Sequence, residues 1–483
     1  MYARHASDRE ELAAPTAKKH NTRESRFTGP YKGCLFFVTF FGASKESKEK
    51  KAETSMNLKV LKTEQLSGEI TIPSSKSHTI RAVIIAALAE GRSTLINPLF
   101  SEDTKAAINA CESLGAKIIK KDNNLIIDGF GNSPEKPRSV VDMLNSGTST
   151  NLILGILAGL GIEAEITGDA SLRTRPVKSL AAALETLGCS VDFHKNNGCP
   201  PLKISGRING GKVKLDASKS SQYVSSLLIS CPLAEHDTEI IVENPTELPY
   251  IEMTLKWLDE QNIKYERDGF NYFKVPGNQH YNSFEKTIPA DWSSAAFPLC
   301  AAAVAKSSVI LRGVDINDVQ GDKAIIDYLQ NMGADIRIEE NTIRIKGGDL
   351  KGAELDINAT PDALPALSVM GCLAAGETKL INVAQARVKE TDRITVMAEE
   401  LKKMGADIEE LPDGLVIKKS TLKGTKLCGH HDHRVVMALS IAAMNAMEET
   451  IIDTAEAVSV TYPDYVETMN NLGAKIKLIK EDK

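Results

Sequence analysis

Residues 111–119 read CESLGAKII, and the same phrase returns as LETLGCSVDF at 184–193, LQNMGADIRI at 329–338, LKKMGADIEE at 401–410 and MNNLGAKIKL at 469–478. Each copy is a helix-like run closed by Leu or Met, then a glycine, then a short run that opens a strand. A degenerate copy, LDEQNIKYE at 258–266, carries Asn262 where the others carry glycine. Glycine and asparagine are the residues that accept the left-handed backbone position at which a helix stops. The alternation of apolar and polar residues after them starts a strand. The markers Gly115, Gly188, Asn262, Gly333, Gly405 and Gly473 stand 73, 74, 71, 72 and 68 residues apart. Six units of about 70 residues follow from that spacing.

Further strands are predicted in most copies, as in NTIRIKGG (341–348) and DGLVIKKS (413–420), so each unit reads as helix plus several strands and the chain as α/β throughout. Between the phrases lie stretches rich in alanine and other apolar residues: AVIIAALAEG (82–91), NLILGILAGLG (151–161), AAFPLCAAAVAKS (295–307) and MALSIAAMNAM (437–447). Helices apolar most of the way round belong inside, with sheets packed outside them. The alternative is an ordinary layered α/β sandwich.

With 483 residues, 25% charged and 42% hydrophobic, the chain has material for at least one large core. Net charge is 58 − 64 = −6, which predicts no general attraction to nucleic acid. The eight cysteines include no C-x-x-C pair, which argues against a zinc ribbon or a dense disulfide framework and for a reducing cytosol or organelle stroma. No apolar run approaches the roughly 20 residues of a membrane span.

Residues 1–55 differ in kind, with 11 Lys+Arg against 7 Asp+Glu, leaving +4 here and −10 on the rest. Their apolar stretch CLFFVTFF, Cys34 to Phe41, lies too far from the start for a secretory signal. Residues 1–56 are read as a disordered or targeting extension, or as an over-long start with Met56 as the natural initiator.

Several polar turns open these helices. SSKSHTIRA (74–82) follows the strand-like GEITIP and places serines, Lys76 and Arg81 at a helix N-terminus, where free N–H groups favour an anion. LNSGTST (144–150) opens a second apolar helix, and GDASLRTRPV (168–177) adds Arg173 and Arg175. KSSQYVSSLL (219–228) reads as a third polar turn feeding an amphipathic helix. Each alone is a loop and a cap. Together they repeat hydroxyls, amides and arginines at strand-to-helix junctions, a pattern suited to several oxyanions at once. RVKETDR (387–393) and HHDHR (430–434) concentrate charge at the mouths of helices, and TPDALPAL (360–367) offers Asp362. Asp362 and Glu390 have the chemistry of two proton-transfer groups among cations. His431 and His433, at alternate positions, invite a metal reading, but no distant ligand pattern accompanies them.

In order, SSKSHTIRA, NSGT, the RP of RTRP, SSQY, PDALPA, RVKETDR, DHR and YPDY resemble the motifs of the EPSP synthase (3-phosphoshikimate 1-carboxyvinyltransferase) family of enolpyruvyl transferases, over residues 57 to about 479. The resemblance implies a two-domain inside-out α/β barrel with three repeats per domain. It also implies transfer of the enolpyruvyl group of phosphoenolpyruvate to the 5-hydroxyl of shikimate 3-phosphate, releasing phosphate, with no cofactor and no metal, by a cytoplasmic monomer. By this resemblance Lys76, Gly147, Arg175, Gln222, Arg393 and Arg434 hold phosphoenolpyruvate. Shikimate 3-phosphate is assigned to Lys76, Ser77, Arg81, Ser220, Ser221, Gln222, Tyr250, Asp362 and Lys389. Glu390 is the implied general acid toward the methylene, Asp362 the acceptor of the hydroxyl proton, and Lys76 the aid to phosphate departure, with His433 orienting this corner. The implied domains are 57–74 plus 290–483 and 75–289, hinged near Ser74 and Ala290.

The chain departs from the family pattern at four places. Val460 stands for a lysine and Asn151 for an arginine, removing two cations from the phosphoenolpyruvate side. Glu247 stands for a serine at the shikimate phosphate, and Gln385 for an asparagine. Two other functions compete. The sister enzymes acting on UDP-N-acetylglucosamine typically carry an asparagine after the N-terminal lysine and a loop cysteine, whereas here Ser77 follows Lys76 and the cysteines read as lying in helices and strands. A non-catalytic homologue binding a phosphorylated ligand is the other alternative.

Overall fold

The structure, a computed structural model, describes residues 56–305 and 307–480, so the readings of residues 1–55 lie outside the described residues. The six phrases fold as their chemistry dictates. Gly115, Gly188, Gly333, Gly405 and Gly473 take φ between +91° and +108°, and Asn262 takes +58°, each turning the chain out of a helix and into a strand. After the first five of these turns that strand opens a β-hairpin, and after Gly473 it pairs instead with the first strand of the chain, so that six four-stranded sheets result. In each, one strand runs parallel to an edge strand from an earlier or later segment and antiparallel to its other neighbour.

Two kinds of helix alternate. Lys76–Leu88, Gly147–Leu160 and Gln222–Ser230 are buried almost all round, as are Trp292–Val304, Leu364–Leu373 and His433–Met444. Helices such as Glu102–Ser113 and Tyr465–Asn471 bury only one stripe. The first kind forms the interior. The sheets lie outside with one face buried, as in Thr342–Lys346, where Ile343 and Ile345 point inward and Arg344 and Lys346 outward. This is the inside-out arrangement that the alanine-rich stretches predicted. One expectation fails: the helix opened by KSSQ is not amphipathic, because Tyr223 to Ser230 are all buried and its serines bond within the interior.

Two separate hydrophobic cores result. One gathers buried residues between Ile80 and Ile288, the other residues 58–72 together with 290–476. The chain passes between them twice, at Ser74 and Ala290. These two crossings form a β-bridge, reinforced by Ser75 N–H to Pro289 C=O at 2.7 Å and Asp291 N–H to Pro73 C=O at 2.8 Å. On either side an edge strand next to one crossing pairs, within its own core, with a strand that follows the other crossing. Ser67–Thr71 pairs with Ser308–Arg312, and Glu285–Thr287 pairs with the strand Arg92–Ile96. The last sheet is completed by the first strand, Met56–Leu61, lying between Thr450–Ile452 and Lys475–Lys480. Among the described residues no helix is long and apolar enough to cross a membrane.

The turn chemistry is testable at two positions. A Cβ on Gly188 would be strained by φ +108° and would meet the Asn209 amide at 2.3 Å, so Gly188→Ala is expected to cost at least about 1 kcal/mol in urea unfolding. Asn262 already tolerates the left-handed region, so Asn262→Gly is expected to change stability by less than about 0.5 kcal/mol.

Candidate active site

The polar turns converge on one cleft with about 930 Å³ of atom-free space. Its wall includes Lys76, Ser77, Arg81, Gly147, Arg175, Ser220, Ser221, Gln222, Tyr250, Asp362, Lys389 and Glu390. Most of these residues sit at or just before the N-terminus of a helix, so backbone N–H groups and helix dipoles add positive potential to that of the side chains. Gly147 is where a wall must be thin: a Cβ there would stand 3.1 Å from the Arg175 guanidinium.

Arg393, expected in the cleft wall, is instead fully buried, and Arg434 nearly so. Arg393 holds Asp432 with two bonds (2.8 and 3.1 Å), Asp362 at 2.7 Å and Glu390 at 2.6 Å. Arg434 holds the other oxygen of Asp362 at 2.9 Å. Both arginines therefore reach the cleft through the two carboxylates that the sequence marked as proton-transfer groups.

Electrostatics fix the resting charge of those carboxylates. Burial alone would raise the Asp362 carboxyl, but the Arg434, Arg393 and Lys389 charges outweigh it and hold the group well below the usual carboxylate range. Glu390 is held low in the same way, burial being overcome by Arg393, Arg175 and Lys76. Both are ionised bases in this state. Lys76 bonds Asp103 at 2.9 Å and keeps its proton, since Asp103 and Glu390 outweigh its burial. Burial brings the Arg81 guanidinium down to about 10, still charged at neutral pH, and its donors are met by Thr254, Ser225, Tyr250 C=O and Ser77 C=O.

The departures from the family pattern have different surroundings. Asn151 donates to Gln222 Oε1 at 2.7 Å while Gln222 donates to Thr148 at 3.0 Å, so Asn151 orients the glutamine amide rather than supplying charge. Val460 is buried at the end of the turn Ala455–Val460. Glu247 is 2% exposed, accepts from Ser221 Oγ at 2.8 Å and pairs with Lys389. Gln385 reaches Asn358 C=O at 2.8 Å. The histidines do not share a face: burial drives His433 well below the usual imidazole range with its Nε2 unpartnered, whereas the His431 side chain is 76% exposed. Cys199 and Cys428 lie in loops, not in helix or strand as expected.

Sequence reasoning missed Asp103, Lys219 and Asp322. Asp103 and Lys219 line the cleft, and Asp322 accepts from Tyr250 Oη at 2.7 Å. The signal for Asp103 was its place in the first turn of a capped helix. Burial first, and then the Asp362 charge, push the Asp322 carboxyl up to about 6. A carboxyl whose native pKa lies above its unfolded value loses native stability as pH rises through that native value. Asp322→Asn is therefore expected to leave stability unchanged near pH 4 and to raise it by about 1–3 kcal/mol above pH 7, read as unfolding midpoints across pH.

Comparison with known proteins agrees with this geometry. The sequence model of EPSP synthase (3-phosphoshikimate 1-carboxyvinyltransferase) matches residues 60–469. A 3-phosphoshikimate 1-carboxyvinyltransferase of Acetivibrio thermocellus is 51% identical over 423 residues, which is 87% of this chain and 99% of that protein. One from Ruminiclostridium cellulolyticum is 48% identical over 88% of this chain and 100% of its own. The solved EPSP synthase of Acinetobacter baumannii superposes with a TM-score of 0.74 at 30% identity, covering 88% of this chain and 100% of its own. Six repeats, one cationic cleft and these matches along nearly the whole described chain show that it belongs to the EPSP synthase family.

Proposed function

We propose that the cleft divides the work of carboxyvinyl transfer among the residues just described. The reaction joins the 5-hydroxyl of shikimate 3-phosphate to phosphoenolpyruvate and releases phosphate, in the shikimate pathway to chorismate and the aromatic amino acids. The observation that carries the assignment of roles is a single buried guanidinium, Arg393, holding two ionised carboxylates, Asp362 and Glu390, on the wall of the cleft.

Asp362, ionised, is the base toward the attacking 5-hydroxyl. Glu390 is ionised at rest and must be protonated to deliver a proton to the methylene carbon. The substrates supply the change. When the carboxylate and phosphate of phosphoenolpyruvate take over Arg393, Arg175, Arg434 and Lys76, Glu390 loses the cations that depress it, and its affinity for a proton rises. The protonated group then serves as the acid and, once the tetrahedral adduct has formed, as the base that takes a proton back from the methyl as phosphate leaves. Lys76 stabilises the departing phosphate. Gly147 and Gln222 complete the phosphoenolpyruvate end. Ser77, Arg81, Ser220, Ser221, Tyr250 and Lys389 hold shikimate 3-phosphate.

The same reading assigns residues 57–74 with 290–483 to one domain and 75–289 to the other, hinged at the bridge between Ser74 and Ala290. Its support is the division into two cores and the small number of polar links reaching from one to the other. Among these are Ser171 Oγ to Glu390 C=O at 3.0 Å and Arg175 to Glu390 at 3.7 Å. Polyanions bound between them would draw opposed helix N-termini together. The seven free cysteines among the described residues suit a reducing compartment.

Purified protein is expected to release phosphate with phosphoenolpyruvate plus shikimate 3-phosphate and not with UDP-N-acetylglucosamine. Release with the sugar nucleotide alone would overturn the assignment, and binding without release would mark a non-catalytic homologue. Glu390→Gln is expected to lose turnover by roughly 10²-fold or more while still binding both substrates, and retained turnover would remove it from proton transfer. In X-ray scattering, the radius of gyration is expected to fall when shikimate 3-phosphate is added. An unchanged profile would rule out closure.

A further inference from the structure

Glu247 is out of place in a cleft built for anions. Its carboxylate is 2% exposed and lies at the end of the cleft lined by Ser220, Ser221, Lys219 and Lys389. One oxygen accepts from Ser221 twice, from Oγ at 2.8 Å and from the backbone N–H at 3.3 Å. The other oxygen pairs with the Lys389 ammonium, which belongs to the segment packed on the other core. These donors, a serine hydroxyl, a helix-start N–H and a lysine, are the set that recognises a phosphate.

The backbone reports the same commitment. Glu247 sits at φ 51°, ψ 43°, a left-handed conformation that a side chain with a Cβ adopts only at a steric cost. It precedes the helix Leu248–Glu260 in the N-cap position yet makes no side-chain cap. The strain is retained where it aims the carboxylate at Ser221 and Lys389 rather than at its own helix.

We infer that Glu247 is a built-in occupant of the phosphate subsite, which the acceptor's phosphate must displace, Lys389 and Ser221 passing from the carboxylate to the phosphate as it binds. The inference rests on the assignment of this end of the cleft to shikimate 3-phosphate. It makes Glu247 a specificity-determining residue. An acceptor with a phosphate can take over its partners, whereas one without a phosphate has nothing to offer Lys389 in exchange. It also makes the resting Glu247–Lys389 pair a link between the two cores that substrate has to exchange for its own.

Isothermal titration of shikimate 3-phosphate and of unphosphorylated shikimate against the wild-type chain, Glu247→Ser and Glu247→Gln tests it directly. Both variants are expected to bind shikimate 3-phosphate about tenfold more tightly or better, because each frees Lys389 from its ion pair, while shikimate affinity shifts by less than about twofold. Glutamine keeps the size and polar contacts of the side chain and removes only its charge, so it guards against a folding defect in the serine variant. Unchanged or weaker binding of shikimate 3-phosphate in Glu247→Gln, or equal shifts for the two ligands, would overturn the inference. Failure of the wild-type chain to release phosphate with both substrates would instead strike the assignment of the reaction. Absence of shikimate 3-phosphate binding in all three proteins would sink both.

Discussion

A fully buried guanidinium surrounded by three carboxylates is the constraint on which the site depends. Arg393 lies at the start of the helix Arg393–Lys403, with Asp432 from the start of His433–Met444, Asp362 from the turn before Leu364–Leu373, and Glu390 three residues upstream. Taking such a charge out of water costs several kcal/mol, and only complete pairing offsets it. The pairing therefore ties three helix starts to one another and fixes where Asp362 and Glu390 present their free faces. Removing any one carboxylate would leave part of a buried charge without its partner.

Four further cations at the site follow the same rule. Lys76 is matched by Asp103, Arg175 by Glu390, Lys389 by Glu247 and Arg434 by Asp362. Binding two polyanions is then an exchange of carboxylate partners for phosphate and carboxylate groups of the ligands, not an addition of charge to vacant cations. Under the proposed assignment of roles, exchange is what lets one glutamate be a base at rest and an acid in the complex. Its proton affinity is set by who else holds Arg393 and Arg175.

Much of this fold could be read from residues alone because it repeats a local instruction six times. A helix ended by glycine or asparagine and followed by a strand is legible from turn chemistry, and apolar helices declare themselves interior by having no polar stripe. The motif residues were legible as a group for the same reason: they sit at helix starts, where their types are unusual. Pairing partners were not. Nothing in the local sequence ties Lys389 to Glu247, 142 residues earlier, or Tyr250 to Asp322, and those contacts decide which groups a ligand finds already partnered. The misread helix after KSSQ has a related cause. Its serines look solvent-facing by type, but Ser225 and Ser226 are hydrogen-bonded in the interior to Thr254 and to the Asn151 carbonyl.

The closure of the last sheet by the first strand bears on how such a chain is made. Met56 pairs with Lys480 and Leu61 with Lys475, so the sheet has its central strand from the earliest described residues and its outer strand from the latest. On the ribosome, the segment 80–288 can bury its own apolar surface as soon as it has emerged. Met56–Leu61 must wait, unpaired, for nearly the whole chain. Synthesis thus completes the core of the inserted half first and seals the other half last, when the final strand reaches the edge left by the first.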